Sequence, residues 1–122
     1  MVLFHEEENE EGRVTIDMYE TDSEFVILAP VAGVSPKDIE VLLKKDILII
    51  RGKRKPPEEM SEKHYLYREC FWGPFSRTIF LPHHLNTSKI QAKIYNGLLI
   101  LRIPKEGDEK IKEIKVEESE LS

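Results

Sequence analysis

A single cysteine, Cys70, stands in the whole sequence, so no disulfide can close within the chain and no Cys-x-x-Cys pair is available to hold a metal. That usage points to a reducing compartment, and the cytoplasm is the expected location. No apolar run approaches the roughly 20 residues that a membrane-spanning helix needs. The opening stretch, MVLFHEEENEEG, has neither the basic start nor the long apolar region of a secretory signal. Positive charge is also short: 18 Lys and Arg against 23 Asp and Glu leave a net charge of −5. Such a surface gives no long-range attraction to a phosphate backbone or to anionic lipid, so neither nucleic acid nor membrane is expected as a partner. Glycine-rich phosphate loops and a Gly-x-Ser-x-Gly nucleophile context are missing, so no enzyme and no cofactor is expected.

What the sequence does carry is β patterning. At 122 residues, 40% hydrophobic and 34% charged, it reads as one folded and very soluble domain. VTIDMYET (14–21) sets Val14, Ile16 and Met18 against Thr15, Asp17 and Tyr19, the alternation of a half-buried strand. EFVILAPV (24–31) predicts a second strand, ending at Pro30 and the Ala32-Gly33 break. SPKD (35–38) predicts one helical turn, with Ser35 as cap and Pro36 at the first helical position. Residues 39–55 read as strand, Lys45-Asp46 turn, strand, and FSRTIFLP (75–82) is another strand. In IQAKIYNGLLILRIPKE (90–106), Asn96-Gly97 predicts a tight hairpin turn whose central residues both need positive φ. Seven or eight strands this closely spaced predict an all-β, immunoglobulin-like β-sandwich. Residues 1–13 form a short N-terminal arm in this reading, 14–105 the sandwich with a long loop at 52–74, and 106–122 a C-terminal extension.

Two features depart from a self-contained sandwich. The connection after the strand at 47–51 is unusually long, and within it HYLYREC (64–70) alternates like a strand held on a charged tether. Such a strand can pair with the edge of another subunit and remove two exposed edges together. In the extension, Ile114 and Val116 are two residues apart, so in an extended chain both side chains point the same way, as a plug for an apolar groove would need. The hairpin adds a question: its second arm is apolar on both faces, Leu99, Leu101 and Ile103 on one, Leu98 and Ile100 with Arg102 on the other. Either another chain partly covers the second face or it holds ordinary surface leucines.

Soft ligands are scattered. His5, His64, adjacent His83 and His84, and Cys70 lack the spacing of a zinc site, and solvated loop histidines are the expectation. Trp72 beside Gly73-Pro74 reads as a core cap rather than a stacking platform. Arg77 and Glu69 form either an exposed pair or a bridge across a two-fold interface.

Several segments resemble the α-crystallin domain of the small heat-shock proteins. They are A-P-V-A-G-V-S-P-K-D-I-E-V (29–41), I-L-I-I-R-G-K-R-K (47–55), Y-R-E-C-F-W-G-P-F-S-R-T-I-F-L-P (67–82), A-K-I-Y-N-G-L-L-I-L-R-I-P-K (92–105) and the I-K-V of the tail (114–116). The A-x-x-x-N-G-x-L element followed by I-P-K is filled by Ala92, Asn96, Gly97, Leu99, Pro104 and Lys105. The G-x-F-x-R-x-x-x-L-P element is filled by Gly73, Phe75, Arg77, Leu81 and Pro82. The resemblance implies ATP-independent binding of non-native client proteins, so that they do not aggregate under heat or other stress. It also implies a homodimer made by strand exchange, with Tyr65, Tyr67, Arg68, Glu69 and Arg77 at the interface. Higher oligomers would form when Ile114 and Val116 of the tail dock beside Val41, Leu43, Ala92 and Ile94 of a neighbour. This chain departs from the pattern at Val31-Ala32-Gly33, where the family usually has L-P-G, and in its short, acidic N-terminal arm. A CS-domain-like co-chaperone or adaptor sandwich without strand exchange is the alternative. A carbohydrate-binding module using Trp72 and the tyrosines is a third reading.

Overall fold

The computed structural model describes residues 12–60, 62–106 and 113–119; Val2, Leu3, Phe4, His5, Ile111 and Leu121 lie outside the described residues. In chain order the strands are β1 (Gly12–Arg13), β2 (Asp17–Glu20), β3 (Glu24–Pro30), β4 (Ile39–Lys44), β5 (Ile47–Arg54), β6 (Gly73–Phe80), β7 (Gln91–Tyr95) and β8 (Leu98–Pro104). They form two four-stranded sheets, ordered β1-β6-β5-β4 and β2-β3-β8-β7. All ladders are antiparallel except the short parallel one between β1 and β6. The expected all-β sandwich is therefore what the chain builds.

Register explains the core. Ile27 sits opposite Leu101, Phe25 opposite Ile103 and Ala29 opposite Leu99, so β3 and β8 turn one shared apolar face inward. Leu48 and Ile50 of β5, with Phe75 and Ile79 of β6, meet them from the other sheet, and all of these side chains are buried. Among the described residues no polar or charged residue is buried with them. The period-2 alternation of the sequence thus becomes two inner faces closed against each other.

Two glycines allow backbones to approach. Asn96 and Gly97 adopt φ of 50° and 73°, the left-handed region the turn requires. The Gly97 carbonyl accepts a hydrogen bond from the Val31 amide at 2.7 Å, and a Cβ on Gly97 would lie 3.2 Å from Ala32 Cα. The hairpin tip therefore rests on the 31–34 turn, and Arg54 Nε, from the other sheet, donates to the Ala32 carbonyl at 2.9 Å. At Gly52 the Pro36–Asp38 3-10 turn crosses β5: a Cβ there would collide with the Asp38 carbonyl oxygen and stand 2.8 Å from Phe75 Cζ.

Two boundaries and one cap differ from the sequence reading. The strand predicted over 14–21 is confined to Asp17–Glu20, because residues 14–16 carry the chain from one sheet to the other; Val14 is buried in the crossing. Ser35 precedes the helical turn as expected but makes no side-chain capping bond; its carbonyl accepts the Asp38 amide instead, at 2.9 Å. β5 continues to Arg54 and β6 begins at Gly73, which narrows the loop from 52–74 to 55–72.

Gly52→Ala tests the close approach. It is expected to lower the free energy of unfolding by about 1–3 kcal/mol, the range for forcing extra volume into packed structure. The readout is a lower urea midpoint at unchanged slope; an unchanged midpoint would mean that the turn shifts away without cost.

Candidate functional site

β4 and β7 are the outermost strands of their sheets, and the chain path places them on the same side. Residues 14–16 join β1 to β2, so those two edges adjoin; the opposite edges, β4 and β7, adjoin in turn. Val41 pairs with Ile50 and Leu43 with Leu48, whose side chains are fully buried, so both point inward. Across the gap Ala92 pairs with Leu101 and Ile94 with Leu99, and these point inward too. Yet Val41 and Ile94 are only partly buried, Ala92 is exposed, and Leu43 keeps 39% of its surface open. Ile39 and Ile90 extend the same rows and are also partly buried. The four residues expected to form a groove are thus brought together as two apolar rows at neighbouring edges. Lys44 and Lys45 flank one row and Lys89 and Lys93 the other; Glu40 is paired to Arg51 at 2.9 Å.

The expected plug is free of the body. Residues 113–119 form no helix or strand, and Ile114 and Val116 are 79% and 91% exposed.

The 55–72 loop holds the expected interface residues away from the sandwich. Its described residues 62–70 are all exposed and make no strand, unlike the alternation expected over 64–70. Local contacts give part of it shape. The Tyr65 hydroxyl donates to the Met60 carbonyl, and the Arg68 guanidinium stacks over the Tyr65 ring, 4.4 Å from its centroid. Tyr67 and Glu69 are exposed beside them.

Arg77 is set differently from an exposed pair. It lies opposite the buried Ile50, so it is turned toward the interior, where its Nη1 donates to the Val14 carbonyl at 3.0 Å in a partly buried bond. It thereby ties β6 to the crossing segment between the sheets. The hairpin's second face has a mixed answer. Val26, on that outer face between Tyr19 and Arg102, is fully buried, while Leu28, Leu98 and Ile100 beside it are half-buried. A second opening escaped the sequence reading: a cleft of about 510 Å³ at the far end of β6, lined by Met18, Phe25, Phe80, Leu81 and Pro82. Its one available signal was Phe80, an apolar residue out of phase with Phe75, Arg77 and Ile79.

Truncating Arg77 tests its anchoring role. Arg77→Ala should cost about 1–3 kcal/mol of stability by leaving the Val14 carbonyl without its charged donor. Arg51→Ala removes an exposed pair and should cost less than about 1 kcal/mol. Equal losses in chemical denaturation would contradict the distinction.

Comparison with known proteins matches this architecture. The model of the Hsp20/alpha crystallin family matches residues 17–117. Small heat shock protein C2 of Rickettsia felis is 36% identical over 100 residues, 82% of this chain and 65% of that protein. The chain therefore spans just under two thirds of that relative's length. Heat shock protein 16.0 from Schizosaccharomyces pombe superimposes with a TM-score of 0.73 at 29% identity, covering 88% of this chain and 78% of that one. A small heat-shock protein from Xylella fastidiosa does so with a TM-score of 0.72 at 32% identity, covering 86% and 96%. Paired edge strands flanking an open apolar slot, a tethered loop and this match along most of the chain lead to one assignment: the chain belongs to the Hsp20/alpha crystallin family, the small heat shock proteins.

Proposed function

We propose that the protein is an ATP-independent holdase rather than an enzyme, acting in the cytoplasm on partly unfolded proteins. Its unit is a homodimer made by exchanging the 64–70 segment onto a partner's edge strand. Dimers associate further when Ile114 and Val116 of one enter the β4–β7 slot of another. The observation that carries this reading is the pair of half-bare apolar rows at β4 and β7 beside an apolar tail motif that packs on nothing. The Xylella fastidiosa relative, described as having a distinct high order structure, supports association of this kind.

The energetics suit a reversible plug. Burying the two tail side chains is worth about 3–6 kcal/mol. Ordering three or so residues costs a similar amount, about 1–2 kcal/mol each. The two nearly cancel, so the tail exchanges readily, and heating tilts the balance toward release because the ordering cost grows with temperature. An unfolding client exposes apolar segments of its own and enters the vacated slot. Basic residues on both sides of the slot favour the acidic tail, in which seven Asp and Glu over 106–122 outnumber Lys110, Lys112 and Lys115.

Two measurements test the proposal. With no nucleotide present, the protein should suppress the light scattering of a heat-aggregating enzyme at near-stoichiometric ratio; unchanged scattering at molar excess would overturn the holdase reading. Replacing both Ile114 and Val116 by Asp should shrink any larger assembly to dimers while the dimer persists in sedimentation. Undiminished assemblies would separate the tail from oligomer formation.

A further inference from the structure

We propose that the outer face of the β1-β6-β5-β4 sheet, at the end where β6 begins, seats the acidic arm of the same chain, residues 6–11, as an electrostatic strap. The inference depends on neither the dimer nor the holdase reading. Its first ground is a segregation of charge. Residues 12–105 carry 15 Lys and Arg against 11 Asp and Glu, whereas residues 1–11 carry five Glu and neither Lys nor Arg. The body is therefore net positive, and the negative balance of the chain comes from its two ends.

A shallow pocket of about 390 Å³ offers unanswered positive charge. Arg51 and Lys53 line it and are out of phase with the buried Leu48 and Ile50, so they lie on the outer face. Lys37 enters from the 3-10 turn. The two acids of the lining are already taken, Glu40 by Arg51 at 2.9 Å and Asp38 by Lys55 at 3.4 Å. Lys37 and Lys53 are exposed, and neither makes an ion pair with a described residue.

The chain path brings the arm to this pocket. β1 runs parallel to β6 with Gly12 opposite Phe75, and Phe75 is itself part of the pocket wall. The residues ahead of Gly12 therefore join the ladder from the side of Pro74 and Gly73, whose partners on β5 are Lys53 and Arg54. β1 and β5 flank β6, about 10 Å apart at 4.8 Å per strand spacing, and six extended residues span about 20 Å. Lys37 and Lys53 fall within that reach. The lysines of the slot are further: Lys44 pairs with Ile47, about 20 Å along β5 from Lys53. The tail departs at that far end, where the Glu106 amide donates to the His84 carbonyl at 3.0 Å. The two acidic segments thus leave from opposite ends of the body, and lysines stand near each exit. Exposed ion pairs are individually weak, so the strap holds through several together and yields to salt.

Carbodiimide coupling joins a carboxylate to an amine only where the two touch, so it reads the contact directly. Applied to an equal mixture of heavy-isotope and ordinary full chains, it should give amides between the carboxylates of residues 6–11 and Lys37 or Lys53, within one isotopic species. Their yield should fall at least about threefold when salt rises from about 0.1 M to about 1 M, which shortens the screening length from about 10 Å to about 3 Å. Amides to Lys44, Lys45, Lys89 or Lys93 would assign the arm to the slot, and amides between differently labelled chains would assign it to a second copy. Either result, or no amide from the arm at all, overturns the proposal. A second readout does not consume the lysines. Lys37→Gln combined with Lys53→Gln, both at exposed positions, should speed cleavage within residues 6–11 by a glutamate-specific protease about fivefold, on the order of two surface ion pairs lost. Unchanged cleavage would overturn the seat.

Discussion

In the middle of a sheet, an inward-facing apolar side chain is covered by the opposite sheet and by a strand on each side. An edge strand lacks one of those neighbours, so its inner row stays half-bare however well the rest is packed. Leu48, Ile50, Leu99 and Leu101 sit on inner strands and are buried, while their ladder partners Leu43, Val41, Ile94 and Ala92 are not. The two sheets meet along two such sides. One gives the slot between β4 and β7, and the other the cleft between β2 and the end of β6. A closed barrel would have removed both; this chain keeps them open and carries unpacked apolar segments, Leu66 to Tyr67 and Ile114 to Val116, on tethers.

The two layers that present these openings share one apolar core and are also tied by polar contacts, among them those of the 31–34 turn. Val31 donates to Gly97 at the hairpin tip, and Arg54 reaches Ala32 from the other sheet, so this turn holds the two layers in relation to each other. Arg77 does the equivalent on the opposite side by holding Val14. These bonds tie the two layers together while the edge strands on either side remain open.

Much of this was legible in the residues. The alternation in 24–31, 39–55 and 90–106 predicted β3, β4, β7 and β8 within a residue or so and the start of β5, which runs three residues past the expected 47–51; Asn96-Gly97 announced its turn, because side-chain period and positive φ are local properties. The strand predicted over 14–21 came out too long for an equally physical reason. Val14 is buried like a strand residue, but by a chain that is crossing between layers, and a buried alternating pattern does not distinguish the two. Phe80 and the cleft were missed because the lining comes from segments 18–25 and 80–82, distant in sequence.

The order of residues was sufficient for the strands, their turns and the identity of the apolar faces, since each depends on neighbours within a few positions. It also marked the loop and tail as segments unlike the body. Which strands would lie at the edges, that β4 and β7 share a side, and that Arg77 points inward to Val14 depend on how the sheets are ordered and stacked. Those facts rest on contacts between segments far apart in the chain, and no local pattern records them.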